Sequence, residues 1–382
     1  MIDVERLKLE FKILAEINSP SRKEGELAQH LVSVFEALGA RCFFDHSGAY
    51  TKSAVGNLVV KVPGEDDLPP LFLCAHMDTV EETSNLKLVE EAGIIRNEGA
   101  GILGADDKSG IAVLIEVVRA LRETGTPHPP LEIVFTTCEE IGLLGARYLD
   151  YGLISARMGY VLDAEDPREV IVQAPEAVKF TLRVLGRAAH AGLEPEKGLS
   201  AIMLAAEALS RLPNGRIDEE TTLNFGTIQG GKATNIVPEE VVIEGEIRSH
   251  DLQKLEDLWR KIEGTFSEVI EREKGVDGRP VLETMKEEMF PGFKVPEDHP
   301  VVKLLNLAAE DLGIELRRAR REGGSDANIF NRRGITTVIL GTGMRRVHSP
   351  EEYLVLEDMA LCARLLFAAI LKVGEGAFSE IS

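Results

Sequence analysis

Three apolar runs in this chain each end on groups that a buried strand alone would not call for. Leu71-Phe72-Leu73-Cys74-Ala75 leads into His76 and Asp78, and residues 131–137 lead into Cys138-Glu139-Glu140. Gly159-Tyr160-Val161-Leu162 leads into Asp163. Short continuous apolar runs of this kind read as strands buried on both faces. A helical segment at 111–121 follows Gly104-Ala105-Asp106-Asp107-Lys108-Ser109-Gly110. Strands alternating with helices predict an α/β fold with a mixed, mostly parallel sheet, and such sheets bind ligands beyond the carboxyl ends of their strands. The polar residues stand at that end.

His76 and Asp78 are two residues apart, and side chains two apart on a strand share a face. That spacing suits a metal-binding His whose other ring nitrogen is handed to a carboxylate. Asp106 and Asp107 stand where a helix begins, and the helix dipole favours negative charge there.

Helical periodicity covers residues 3–18 and 23–39, and 57–63 reads as a strand. Residues 86–104 read as an irregular, Gly-rich approach to Asp106. From about Pro175 the rhythm changes to strand 177–186, helix 198–211, strands 221–229 and 239–248, helix 251–274 and strand 280–288. This βαββαβ order is the split, ferredoxin-like unit. After Phe293 the first rhythm returns: a helix at 299–312, a Gly323-Gly324-Ser325-Asp326 turn into a helix at 325–332, a strand at 335–340, a loop to His348 and a helix from about 355 to 373. The expected organisation is a discontinuous α/β domain, 1–175 and 292–382, interrupted by a second domain at 176–291. A length of 382 residues fits two domains.

The formal net charge of −21 argues against a nucleic-acid partner and against docking on anionic lipid. No apolar run approaches the ~18 residues of a membrane span. The N-terminal residues lack the basic and apolar regions of a signal peptide. Cys42, Cys74, Cys138 and Cys362 are scattered, with none in a C-x-x-C pair, which suits free thiols in a cytoplasmic protein.

Collected, the strand-end and loop residues are His76, Asp106, Glu139, Glu140, Asp163 and His348. Each has a plain structural reading: Glu139-Glu140 as a helix cap, Asp163 as a turn residue, His348 as a surface histidine. Together, two His and three carboxylates suit a pair of divalent metals such as zinc, cobalt or manganese, with one carboxylate shared. Glu139 or Glu140 is then left to act as a base.

The motifs 73–79, 104–110 and Cys138-Glu139-Glu140-Ile141-Gly142 resemble the signature of the M20 metallopeptidases. So do 186–190, Thr234-Asn235-Ile236-Val237-Pro238, the Gly323–Asp326 turn and the late His348. Within that family the likeness is greatest to the peptidase T (tripeptide aminopeptidase) branch. The resemblance implies a zinc-exopeptidase-like catalytic domain with the second domain as a lid. It implies that Asp106 bridges two metals, that His76 and Asp163 complete one site, and that Glu140 and His348 complete the other. Glu139 is then the general base, Asp78 the carboxylate behind His76, and the Asp106–Asp107 peptide cis. His190, on the inserted domain, would stabilise the oxyanion, while Arg248 and Asn235 would hold the substrate's carboxylate. Gly324 and Ser325 would present backbone N–H groups to the substrate, cap a helix, or do both. Aspartate at the position of Asp163 marks many aminopeptidases and dipeptidases of the family, and glutamate many carboxypeptidases and deacylases. The expected activity is removal of the N-terminal residue from short peptides, with two divalent ions, zinc foremost. An N-acyl-amino-acid deacylase or desuccinylase is the alternative within the same chemistry, and a non-catalytic metal-binding scaffold the alternative outside it. The lid would also offer a surface for a homodimer.

Overall fold

The computed structural model of the chain describes residues 1–83, 85–273, 275 and 277–374. The end of the helix expected at 251–274, and the tail from 375, lie outside the described residues. The chain divides into two compact units, Met1–Gln173 with Lys294–Ser382, and Ala174–Phe293.

The first unit is built on a mixed sheet with a parallel centre. Strands Leu131–Thr136, Leu71–His76, Met158–Ala164 and Thr336–Gly341 run parallel and adjacent in that order. Leu58–Val62 and Arg41–Phe44 extend one side antiparallel. Glu169–Ala174 joins the other side antiparallel and pairs in parallel with Arg317–Arg320. The strands Leu71–His76, Leu131–Thr136 and Met158–Ala164 are buried along their whole length, as strands covered on both faces must be. The helix Ala105–Thr124 is buried nearly all round, because it lies between Val4–Glu16 and Leu356–Gly374 as well as against the sheet.

Gly159 shows how close the central strands approach. It pairs with Phe72, and a Cβ there would stand 1.8 Å from the Phe72 carbonyl oxygen. Backbone on a central strand cannot move aside as a flexible side chain can. Gly159→Ala is expected to destabilise the protein by about 3 kcal/mol, the upper end of ordinary overpacking, read as a lower midpoint in urea denaturation.

One stretch differs from expectation. Residues 86–104 are not irregular throughout: Leu88–Glu91 and Ile94–Asn97 form an antiparallel hairpin. Ala92 at φ 52° and Gly93 at φ 78° close it in the left-handed conformation that two-residue hairpin turns favour. Ile95 and Asn97 are its buried residues, so it carries little apolar alternation to read. The hairpin continues into a four-stranded sheet with Tyr353–Val355 and Met344–Arg345.

The second unit is an antiparallel sheet ordered Gly215–Arg216, Thr221–Gly230, Glu240–Ser249, Glu176–Leu185, Val281–Phe290. Apart from the short first strand this is the ferredoxin-like order. Burial alternates residue by residue along Glu240–Ser249, as in a sheet with one covered face. Helices Ala201–Ser210 and Leu252–Arg272 cover that face and build a core around Phe180, Trp259 and Phe266. Asp251 caps the longer helix by accepting from the Gln253 and Lys254 N–H groups. Among the described residues, no helix is long and apolar enough to cross a membrane.

Candidate active site

The carboxyl ends of the parallel strands bring the acids and histidines of the first unit together. His76 closes its strand, with Nδ1 2.9 Å from the main-chain carbonyl of Asp78. A carbonyl only accepts, so Nδ1 carries a proton and Nε2 is the atom presented to Asp106, 2.9 Å from Oδ1. The Asp78 carbonyl fixes the tautomer, and the Asp78 carboxylate stands behind the same nitrogen, with Oδ1 3.7 Å from Nδ1. That carboxylate also accepts from the Glu139 and Glu140 N–H groups, at 2.9 and 3.2 Å, and from the Ser21 hydroxyl at 2.6 Å. Asp78 therefore holds the turn that carries both glutamates.

Asp106 sits between two histidines. Oδ1 faces His76, and Oδ2 lies 3.2 Å from His348 Nε2. Asp106 and Asp107 keep non-helical dihedrals within the first turn of Ala105–Thr124, and the peptide between them is cis. Asp107 is fully buried and accepts from the His76 N–H and the Gly110 N–H. Glu140 Oε1 lies 3.0 Å from His348 Nε2, yet is buried without an aligned hydrogen-bond donor. His76, Asp106 and Glu140 offer ligand atoms within 4.8 Å of one another. Asp163 stands outside that group. Arg321 Nη1 donates to its Oδ2 at 2.8 Å and to its carbonyl at 2.5 Å.

Charge is badly balanced here. Burial, reinforced by neighbouring acids, raises Glu139 and Asp107 well above the usual carboxylate range and raises Asp163 as well. Burial likewise pushes Asp78 up to about 6 and Asp326 to about 7. Burial opposes charge on Asp106 too, but hydrogen bonds from His348 and His76 outweigh it and hold Asp106 low. The Asp106 and Glu140 carboxylates in turn lift His348 to about 10. A buried excess of acid, with a Glu140 oxygen that has no aligned donor among the described residues, is the environment that divalent cations relieve. The donors present, imidazole nitrogen and carboxylate oxygen, fit such ions.

The remaining candidates divide. Ser325 is fully buried and caps the helix Asp326–Arg332: its hydroxyl accepts from Ala327 N–H and its own N–H donates to Asn328. The cap occupies the Ser325 hydroxyl and is compatible with a substrate role for the turn, where Gly324 stays partly exposed. His190, Asn235 and Arg248 belong to the second unit. The His190 and Asn235 segments pair there, through Ala191 N–H to the Asn235 carbonyl at 2.9 Å. Arg248 makes a two-armed contact with Glu246 and lies over the Phe290 ring. Sequence reasoning missed Arg321 and Glu352. Neither carries a spacing signal that would have found it, beyond Glu352 following His348 by four residues.

The chain was also compared with known proteins. A solved aminopeptidase PepT from Bacillus cereus is 37% identical, covering 98% of this chain and 99% of that one, at a TM-score of 0.91. A tripeptidase from Staphylococcus aureus is 35% identical, covering 98% and 100%, also at 0.91. The protein YqjE of Bacillus subtilis is 38% identical over 97% of this chain and 99% of its own length. The model of peptidase family M20/M25/M40 matches residues 72–372, which takes in the strand ending on His76, the Asp106 turn, the glutamate pair and His348. The chain belongs to that family.

Proposed function

We propose that this protein is a two-metal aminopeptidase that removes the N-terminal residue from short peptides, tripeptides above all. The observation that carries the reading is Asp106, whose two oxygens face His76 and His348 separately, the arrangement a bridging carboxylate needs. His76 and Asp163 would hold one cation with Asp106, and Glu140 and His348 would hold the other. Zinc suits these donors best, with cobalt and manganese as alternatives. Two divalent cations held there would supply Lewis-acid polarisation of the scissile carbonyl and a water acidified to a pKa of ~7. Glu139, buried and poised as a proton acceptor, takes the proton of the attacking water and passes it to the leaving amine. The solved relatives, an aminopeptidase and a tripeptidase, support peptide rather than acyl substrates.

His190 supplies the oxyanion donor. Its Nδ1 accepts from the Gly192 and Leu193 N–H groups, at 3.2 and 3.1 Å. An Nδ1 that accepts leaves the proton on Nε2, so the exposed edge of the ring is a donor. His190→Ala is expected to lower kcat roughly 10²–10³-fold with little change in KM or metal content. A near-normal kcat would remove His190 from the chemistry. Arg248, Asn235, Gly324 and Ser325 are assigned to substrate binding, the second unit acting as a lid. That unit also exposes Met203 and Ile228, which suits pairing as a homodimer. Four free thiols suit a reducing, cytoplasmic setting.

The test is product analysis. A tripeptide incubated with the metal-loaded enzyme should yield its first residue and a dipeptide, and N-acetylation of the same peptide should abolish cleavage. Preferential release of acetate or succinate from N-acyl amino acids would replace this reading with the deacylase, and no turnover of any of them would leave the scaffold.

A further inference from the structure

Glu352 takes no part in the chemistry described above, yet one carboxylate oxygen or the other accepts three main-chain N–H groups from the segment that leads into Asp106. Leu103 and Gly104 donate to Oε2, at 2.7 and 2.8 Å, and Asp106 itself donates to Oε1 at 3.1 Å. The side chain is 2% exposed. Through its main chain Glu352 closes the loop that carries His348. The Glu352 N–H donates to the Ser349 carbonyl, and the Ser349 hydroxyl donates to the Arg346 carbonyl. His348, at φ 60°, thus sits in a short knitted loop between the paired strands Met344–Arg345 and Tyr353–Val355. The same sheet continues into the hairpin Leu88–Asn97, from which the chain runs on to Leu103.

A loop anchor needs one such bond. Three bonds to one buried carboxylate, one from the Asp106 backbone and two from the residues leading into it, join that segment to a residue four positions from His348. We propose that Glu352 is a positioning residue that sets the gap between Asp106 and His348, and with it the affinity for the cation held on that side. Glutamine is nearly the same size, but it replaces one acceptor oxygen with an NH₂ group facing N–H donors. The inference rests on the two-metal reading, and the experiment separates them.

Zinc affinities of the full-length protein are measured by calorimetry for the wild type, Glu352→Gln, Glu352→Asp and His348→Ala, with amide hydrogen exchange on the metal-free forms. In Glu352→Gln, affinity for one ion should fall 10–100-fold, the scale of losing a residue that orients a ligand. Exchange at Leu103, Gly104 and Asp106 should quicken. The kcat lost at limiting zinc should return with excess zinc at unchanged KM, which a merely structural defect would not do. Glu352→Asp keeps the charge on a shorter arm and should fall between; it carries the same test if the Gln variant does not fold. Wild-type affinities in both Glu352 variants beside a weakened His348→Ala would overturn the proposal and leave the two-ion reading intact. Unchanged affinities in His348→Ala would overturn both.

Discussion

Glu139→Gln should leave the protein folded and its metal content unchanged while kcat on a tripeptide falls roughly 10²–10⁴-fold, the range for a lost general base. The expectation follows from where Glu139 stands. It is 8% exposed, and its N–H is held by Asp78 Oδ1, so the side chain leaves a fixed backbone. Without cations, burial and the nearby Asp163, Asp326 and Glu140 carboxylates raise its proton affinity well above that of a free glutamate. A carboxylate on that fixed backbone can accept the proton of an attacking water, and glutamine cannot. Glu140→Gln should behave differently, weakening occupancy of one metal, because Glu140 Oε1 is the oxygen with no aligned donor. Assay of kcat and metal content on both variants distinguishes the two. Loss of metal in Glu139→Gln, with full activity per bound ion, would reverse the roles.

Chelation should abolish turnover altogether, and added zinc, cobalt or manganese should restore it. Stability should move with it. Cations that bind the folded chain and not the unfolded one stabilise it by ~2.7 kcal/mol at a hundred times Kd. The metal-free protein must also keep Asp106, Asp107, Glu139 and Asp163 buried together, with Arg321 beside Asp163. Tm should therefore rise with zinc concentration, and the rise should shrink in His76→Ala. Full activity in a sample shown to be metal-free would remove the central role of the ions.

The fold was legible where burial is complete and periodicity therefore clean. The runs at 71–76, 131–136 and 159–162 announce a parallel centre because each is apolar on both faces. The second unit is legible for the opposite reason: Glu240–Ser249 alternates strictly, one face in and one out. The hairpin Leu88–Asn97 and the edge strand Arg317–Arg320 escaped because they are short and largely exposed, so little apolar pattern marks them. In the site, His76, Asp106, Glu140 and His348 could be gathered because each ends or follows an element the pattern reveals. What holds them could not. Arg321 meets Asp163 across 158 residues and Glu352 meets Gly104 across 248, contacts that only the folded chain creates. The hold that Asp78 keeps on the Glu139 and Glu140 N–H groups was no more legible, because the strand ends at His76, two residues short of Asp78.

The most direct test is anomalous diffraction from crystals of the zinc-loaded protein, recorded on either side of the zinc edge. A two-metal centre predicts two peaks ~3.5–4 Å apart. The Asp106 carboxylate should lie between them, with His76 and Asp163 on one peak and Glu140 and His348 on the other. A single peak, or a pair that Asp106 does not join, would contradict it.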